Sequence, residues 1–172
     1  MKHFSFFFTV ALVFILAGCQ NQETTPVSPE DFATLSKVPV PIKLIVDGTT
    51  SVDPATMLVT FNATGIGSHF GNCTATGYTT LQFTGPNYGN LINGSFLIVV
   101  ANGDELYLEG TGTFVINGLT TEYVLNYVFT GGTGRFADAT GNIDGTGIGE
   151  QIDPGNPLVK SVHLEGSGSI LY

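Results

Sequence analysis

From residue 40 onward the chain is a succession of short runs rich in Val, Ile, Thr, Phe and Tyr. Gly, Asn or Asp-Pro breaks them after roughly ten residues, and no stretch carries a helical apolar period. A chain punctuated in this way has no crossover helices with which to build a parallel sheet, so its strands must follow one another antiparallel through short turns. Eight strands are expected, over residues 40–46, 56–64, 69–83, 91–101, 104–116, 121–129, 136–148 and 159–170. The expected fold is all-β, an eight-stranded antiparallel up-and-down barrel, because closure removes the free edges that would otherwise aggregate. A two-sheet sandwich is the competing arrangement. At eight strands the interior is just wide enough to be filled by side chains or to hold one small ligand.

Two Asn-Gly pairs give a register. Read as two-residue type I′ turns, Asn102-Gly103 places Ala101 opposite Asp104, and Asn117-Gly118 places Ile116 opposite Leu119. Run outward, this register puts Leu97, Val99, Leu106, Leu108, Phe114, Tyr123, Leu125, Tyr127 and Phe129 on the interior face. The last seven of these are the expected cavity lining. The other face takes Glu105, Glu109, Glu122 and Asn126, but also Phe96, Ile98, Val100, Tyr107, Val124 and Val128. The row Phe96, Ile98, Tyr107 and Val128 is then either ordinary surface apolarity or a contact between copies.

The N-terminus reads differently. Lys2 and His3 precede an apolar run over residues 4–16, which at ~13 residues is too short for a membrane-spanning helix and reads as an export signal. The sequence Leu16-Ala17-Gly18-Cys19 resembles the lipobox of bacterial lipoproteins, which implies cleavage before Cys19 and acylation of that cysteine. The expected organisation is a signal peptide over 1–18, the lipidated Cys19 and a flexible tether over 19–39, and a barrel over 40–172. The implied partner is a membrane, reached through the anchor, and Gln20 after the cysteine favours the outer membrane by resemblance to sorting signals. With Cys19 acylated, Cys73 is the only other cysteine and reads as a small buried apolar side chain. A net charge of −9 argues against nucleic acid as a partner.

The glycine-dense stretch 131–141 contains Gly131-Gly132-Thr133-Gly134-Arg135-Phe136 and the chain's only arginine. It is not a phosphate loop, since Gly134 is followed by Arg135-Phe136 and not by Lys-Ser/Thr opening a helix. It reads as a bend between strands, with Phe136 packed inward and Arg135 paired with a carboxylate such as Asp138. His69, Arg135 and Asp138 are the polar candidates for a functional role. His69 with Glu105 or Asp138 could form an acid/base pair, but a strand-end histidine bonded to a loop carbonyl is the plainer reading. No catalytic residue, cofactor or metal is assigned: His69 and His163 lie far apart, and Asp138, Asn142 and Asp144 lack the spacing of a calcium loop.

The same stretch resembles the Gly-Gly-Thr-Gly-(Arg/Lys)-Phe segment of dirigent proteins and of allene oxide cyclase-like barrels. The likeness extends to Gly65-Ile66-Gly67-Ser68-His69-Phe70-Gly71, to Ala101-Asn102-Gly103-Asp104-Glu105-Leu106-Tyr107 and to Ala139-Thr140-Gly141, within residues 55–172. The resemblance implies an eight-stranded barrel, trimeric in plant relatives, with Arg135 and its neighbours in a structural role. The leading expectation is a lipid-anchored envelope barrel without catalytic activity, binding a small apolar ligand or serving as structure. The alternative is a cyclase or dirigent-type enzyme using the cavity.

Overall fold

The computed structural model describes residues 38–172; the expected signal peptide over 1–18, Cys19 and nearly all of the expected tether over 19–39 lie outside the described residues. Eight strands form a closed barrel: β1 (Val40–Asp53), β2 (Leu58–Gly67), β3 (Gly71–Phe83), β4 (Tyr88–Val100), β5 (Glu105–Asn117), β6 (Thr120–Gly132), β7 (Thr140–Asp153) and β8 (Asn156–Leu171). Each pairs antiparallel with its sequence neighbours, and β8 closes onto β1 from Val40↔Ile170 to Ser51↔Val159. The barrel is the fold expected from the strand pattern, and the sandwich is not formed. Every strand finds both neighbours within residues 40–171, so the barrel completes its own ladder and is a folding unit in its own right.

Strand β1 runs further than its apolar pattern suggested. Asp47-Gly48-Thr49 looks like a turn in sequence, yet it continues as strand opposite Asn62-Ala63-Thr64. A Cβ on Gly48 would stand 2.1 Å from the Asn62 carbonyl oxygen, so this glycine serves close backbone approach in a curved wall. Beyond Asp53, the carboxylate accepts from the Ala55 amide (2.9 Å) and the Thr56 hydroxyl (2.7 Å), which fixes the turn into β2.

The β4–β5 hairpin corrects the expected register. Its loop has three residues, Ala101-Asn102-Gly103: the Val100 amide donates to the Asp104 carbonyl (2.9 Å) and the Gly103 amide to the Val100 carbonyl (2.8 Å), with Gly103 at φ +89. Asn102 holds this longer loop, accepting from the Asp104 amide (3.1 Å) and donating to its carboxylate (2.9 Å). The pairing therefore slips by one residue, Ile98 lies opposite Leu106, and every side chain of this part of β4 changes face. Phe96, Ile98 and Val100 point inward, while Leu97 and Val99 do not belong to the interior. The slip buries the bulkier set, and the expected outer row loses Phe96 and Ile98; Tyr107 and Val128 stay outside. At β5–β6 the turn sits on Gly118-Leu119, with Asn117 opposite Thr120 and Ile116 opposite Thr121. That shift is two residues, so the faces are unchanged.

The two ends of the barrel differ. The β2–β3, β4–β5 and β6–β7 connections share one end with the start of β1 and the finish of β8. There Phe136, in the 3-10 turn Gly134–Phe136, is fully buried and meets Phe70 and Tyr172 edge to face, with ring centroids 6.3 and 5.0 Å away. Ile42, Leu106, Phe129, Ala139 and Ile170 pack with these rings into a plug. The remaining four hairpins surround the other end, which is open.

Candidate functional site

Inward alternation along seven strands builds a cavity of about 330 Å³ behind the open end. Its walls include Val52 from β1, Phe61 from β2, Leu81 and Phe83 from β3, Leu91 and Phe96 from β4, Phe114 from β5, Tyr123, Leu125 and Tyr127 from β6, and Val162 and Leu164 from β8. Strand β7 supplies no wall side chain, because Gly145, Gly147 and Gly149 hold the positions paired with inward-facing Leu125, Tyr123 and Thr121. Their bareness gives Tyr123 and Leu164 room: a Cβ on Gly147 would lie 2.1 Å from a Leu164 methyl, and one on Gly149 3.0 Å from the Tyr123 ring. Phe96 forms the floor with Phe61 and Tyr127, edge to face at 5.5 and 4.9 Å. Below it a smaller void of about 80 Å³ is bounded by Val46, Ala75, Ile98, Leu108 and Ile143. Larger depressions, such as one of about 900 Å³ beside Lys43, Ile45, Ile66 and Val99, lie on the outer wall and are open to solvent.

Polar groups in this apolar chamber are few. The Tyr127 hydroxyl is buried and has no hydrogen-bond partner among the described residues, and burial pushes its pKa well above the usual phenol range. Tyr123 is raised by burial too, less so because its hydroxyl faces those of Thr121 and Thr50. The Thr121 hydroxyl lacks a hydrogen bond of good geometry, so this group of three is a loose contact. Thr79 is satisfied by donating to the Ile92 carbonyl at 3.1 Å. Lys160 is the one charged side chain on the wall; it is half-buried, and burial lowers its pKa below the ordinary lysine value.

Of the expected lining, Phe114, Tyr123, Leu125 and Tyr127 bound the main cavity and Leu108 bounds the smaller void. Leu106 and Phe129 are buried at the plugged end and line neither. His69, Arg135 and Asp138 are exposed, and none borders the cavity. His69 sits at φ +72 in the β2–β3 turn, and its carbonyl accepts from Arg135 Nη2 at 2.9 Å. Asp104 places a carboxylate 3.9 Å from Arg135 Nε, and the guanidinium lies 4.6 Å over the Phe136 ring. The stretch 131–141 thus acts as a brace: Arg135 straps the turn that carries Phe136 to the β2–β3 and β4–β5 loops.

Sequence reasoning passed over Lys160. Its signal was the alternation Leu158, Lys160, Val162, Leu164, which sets a lysine at an inward position of β8. On the outer wall His163 places Nδ1 2.7 Å from Asp47 and Nε2 3.3 Å from Glu165, and these carboxylates raise its pKa. Among the described residues no group of three or more His, Cys, Asp or Glu side chains is placed to hold a metal ion. Cys73 is buried in the core, and burial raises its thiol pKa.

No protein-family model matches the sequence, and no curated protein matches it. Among solved structures, the pterocarpan synthase dirigent protein GePTS1 is similar at 13% identity, over 80% of this chain and 88% of that one, with a TM-score of 0.27. A likeness so distant carries no conclusion about this chain; the barrel stands on its own closed ladder of strand pairs.

Proposed function

We propose that the protein is a non-catalytic binding module which takes a small, largely apolar ligand into the barrel and is held at the cell envelope by acylated Cys19. The observation that carries the binding half is the cavity itself. Eight-stranded barrels can fill their interiors with side chains; here bare glycines on β7 and a raised aromatic floor leave about 330 Å³ empty, at the lower end of the range for small-molecule sites. One end is plugged by Phe136 and the other is open, a shape suited to a guest that enters head or tail first. Inside, the Tyr127 ring adds to the apolar floor, while its hydroxyl is packed beside Gly94 away from the chamber.

Thermal unfolding of residues 38–172 with a panel of neutral apolar compounds tests this reading. A rise in Tm is expected for compounds that fit, growing logarithmically with ligand concentration above Kd. Absence of a shift across the panel, with a filled interior in a crystal structure, would overturn it. The anchoring half is checked by mass spectrometry of the membrane-extracted protein, which should show a diacylglyceryl-modified Cys19 at the new N-terminus. An enzyme of the cyclase or dirigent type is less well supported, since the residues that suggested it stand outside the cavity.

A further inference from the structure

We infer that Lys160 makes this cavity selective for amphiphilic monoanions, a carboxylate being held at the mouth by the ammonium while the apolar body lies against the aromatic floor. The inference rests on the binding reading above and adds the chemical class of the guest.

Position is the first argument. Lys160 pairs with Thr50 on one side and Gln151 on the other, at the level where β8 passes from the exposed β7–β8 turn into the chamber. Its neighbours along the inward face are Leu158 and Val162, both part of the same wall. Among the described residues its side chain makes no salt bridge and no hydrogen bond, unlike those of Arg135 and His163, each of which is matched to a carboxylate. A half-buried cation without a counter-charge is costly, and it stays bland only if the stem lies along apolar surface with the head in bulk water. Lys160 is only part-buried, and as a lining residue near the mouth it is the charge a guest meets on entering.

Local chemistry is the second argument. Thr50 stands directly across the β1–β8 ladder, and its hydroxyl faces that of Tyr123. An ammonium on β8, a hydroxyl on its neighbour β1 and a hydroxyl from β6, across the bare β7, form a set of donors that suits a carboxylate, which accepts through both oxygens. No acidic side chain lines the cavity to compete for that place. The chain as a whole carries a net charge of −9, so an anion gains nothing from the general field and its binding has to come from this one contact.

The experiment uses residues 38–172 with the neutral fluorophore N-phenyl-1-naphthylamine as reporter and three competitors of one chain length: decanoate, decan-1-ol and decylamine. The expected result is displacement by decanoate at a concentration roughly tenfold or more below that of decan-1-ol, with decylamine the weakest, as a charge-assisted contact predicts. In Lys160→Met the advantage of decanoate over decan-1-ol should vanish, and Lys160→Arg should keep most of it. Near-UV circular dichroism of each variant establishes that the barrel is intact. Equal displacement by decanoate and decan-1-ol on the unaltered protein overturns the selectivity and leaves the apolar site standing. No binding of the reporter or any competitor overturns both.

Discussion

Replacing Tyr127 with phenylalanine should make the protein more stable. Among the described residues the hydroxyl is buried without a partner at the floor of the cavity, beside Gly94, where an added Cβ would come within 2.8 Å of the oxygen. An unmade hydrogen bond at a buried hydroxyl costs about 1–3 kcal/mol. Removing the oxygen opens only some ~10 Å³, worth ~0.2 kcal/mol at the usual cavity rate. The ring contact to Phe96 at 4.9 Å is kept. The net expected gain is about 1–3 kcal/mol, which for a domain of this size raises Tm by about 3–10 °C. The chain lacks tryptophan, so unfolding is best followed by calorimetry or near-UV circular dichroism of its tyrosines. If Tyr127→Phe instead lowers stability by about 1 kcal/mol or more, the hydroxyl is bonded in solution, most simply to an ordered water, and the cavity is wet.

At the plugged end, Phe136→Ala should cost about 3–5 kcal/mol in urea unfolding and Phe136→Leu clearly less; near-equal losses would mean the ring contacts to Phe70 and Tyr172 are not what holds the end shut. Gly134→Ala should be worse than Gly103→Ala although both sit at positive φ. The first drives a Cβ to 2.0 Å from Asp104 Oδ1, while the second finds nothing within 4 Å and carries only the backbone cost of about 1–2 kcal/mol. Equal chevron shifts for the two would contradict the bracing role of Asp104. Because its folded pKa lies above the ordinary 6.5, His163 stabilises fully below that value, and its contribution is lost as pH rises through the higher folded one. The Tm advantage of the unaltered protein over His163→Gln should therefore be present at about pH 6 and shrink by about pH 8; a pH-independent difference would remove Asp47 and Glu165 as the cause.

All eight strands were legible because turn residues and β-formers alternate along the chain, and closure followed from the lack of any helix to cover a sheet edge. The faces of β5 and β6 were legible too, since moving the turn from Asn117-Gly118 to Gly118-Leu119 shifts the pairing by two residues, an even number. Strand β4 was not, because Ala101-Asn102-Gly103-Asp104 accommodates a two-residue or a three-residue loop equally well in sequence. The choice falls to tertiary packing, which prefers Phe96, Ile98 and Val100 inside. The glycine stretch pointed to a bend but could not show that its arginine would meet Asp104, a residue 31 positions away, across a neighbouring hairpin. Lys160 was visible as an inward lysine once β8 was read by alternation, but its lack of a partner is a fact of three dimensions.

A wall whose backbone groups are paired all the way round has no seam, and opening one would mean breaking a whole ladder such as the twelve-residue β1–β8 pairing. A guest can therefore leave only past the rim, where Pro54, Met57, Phe83 and Pro157 flank the chamber. Its residence time belongs to the small motions of those hairpin tips, and the fastening of the far end has no part in it. Strengthening the plug around Phe136 should lengthen the life of the fold and leave the dissociation rate of the ligand where it was.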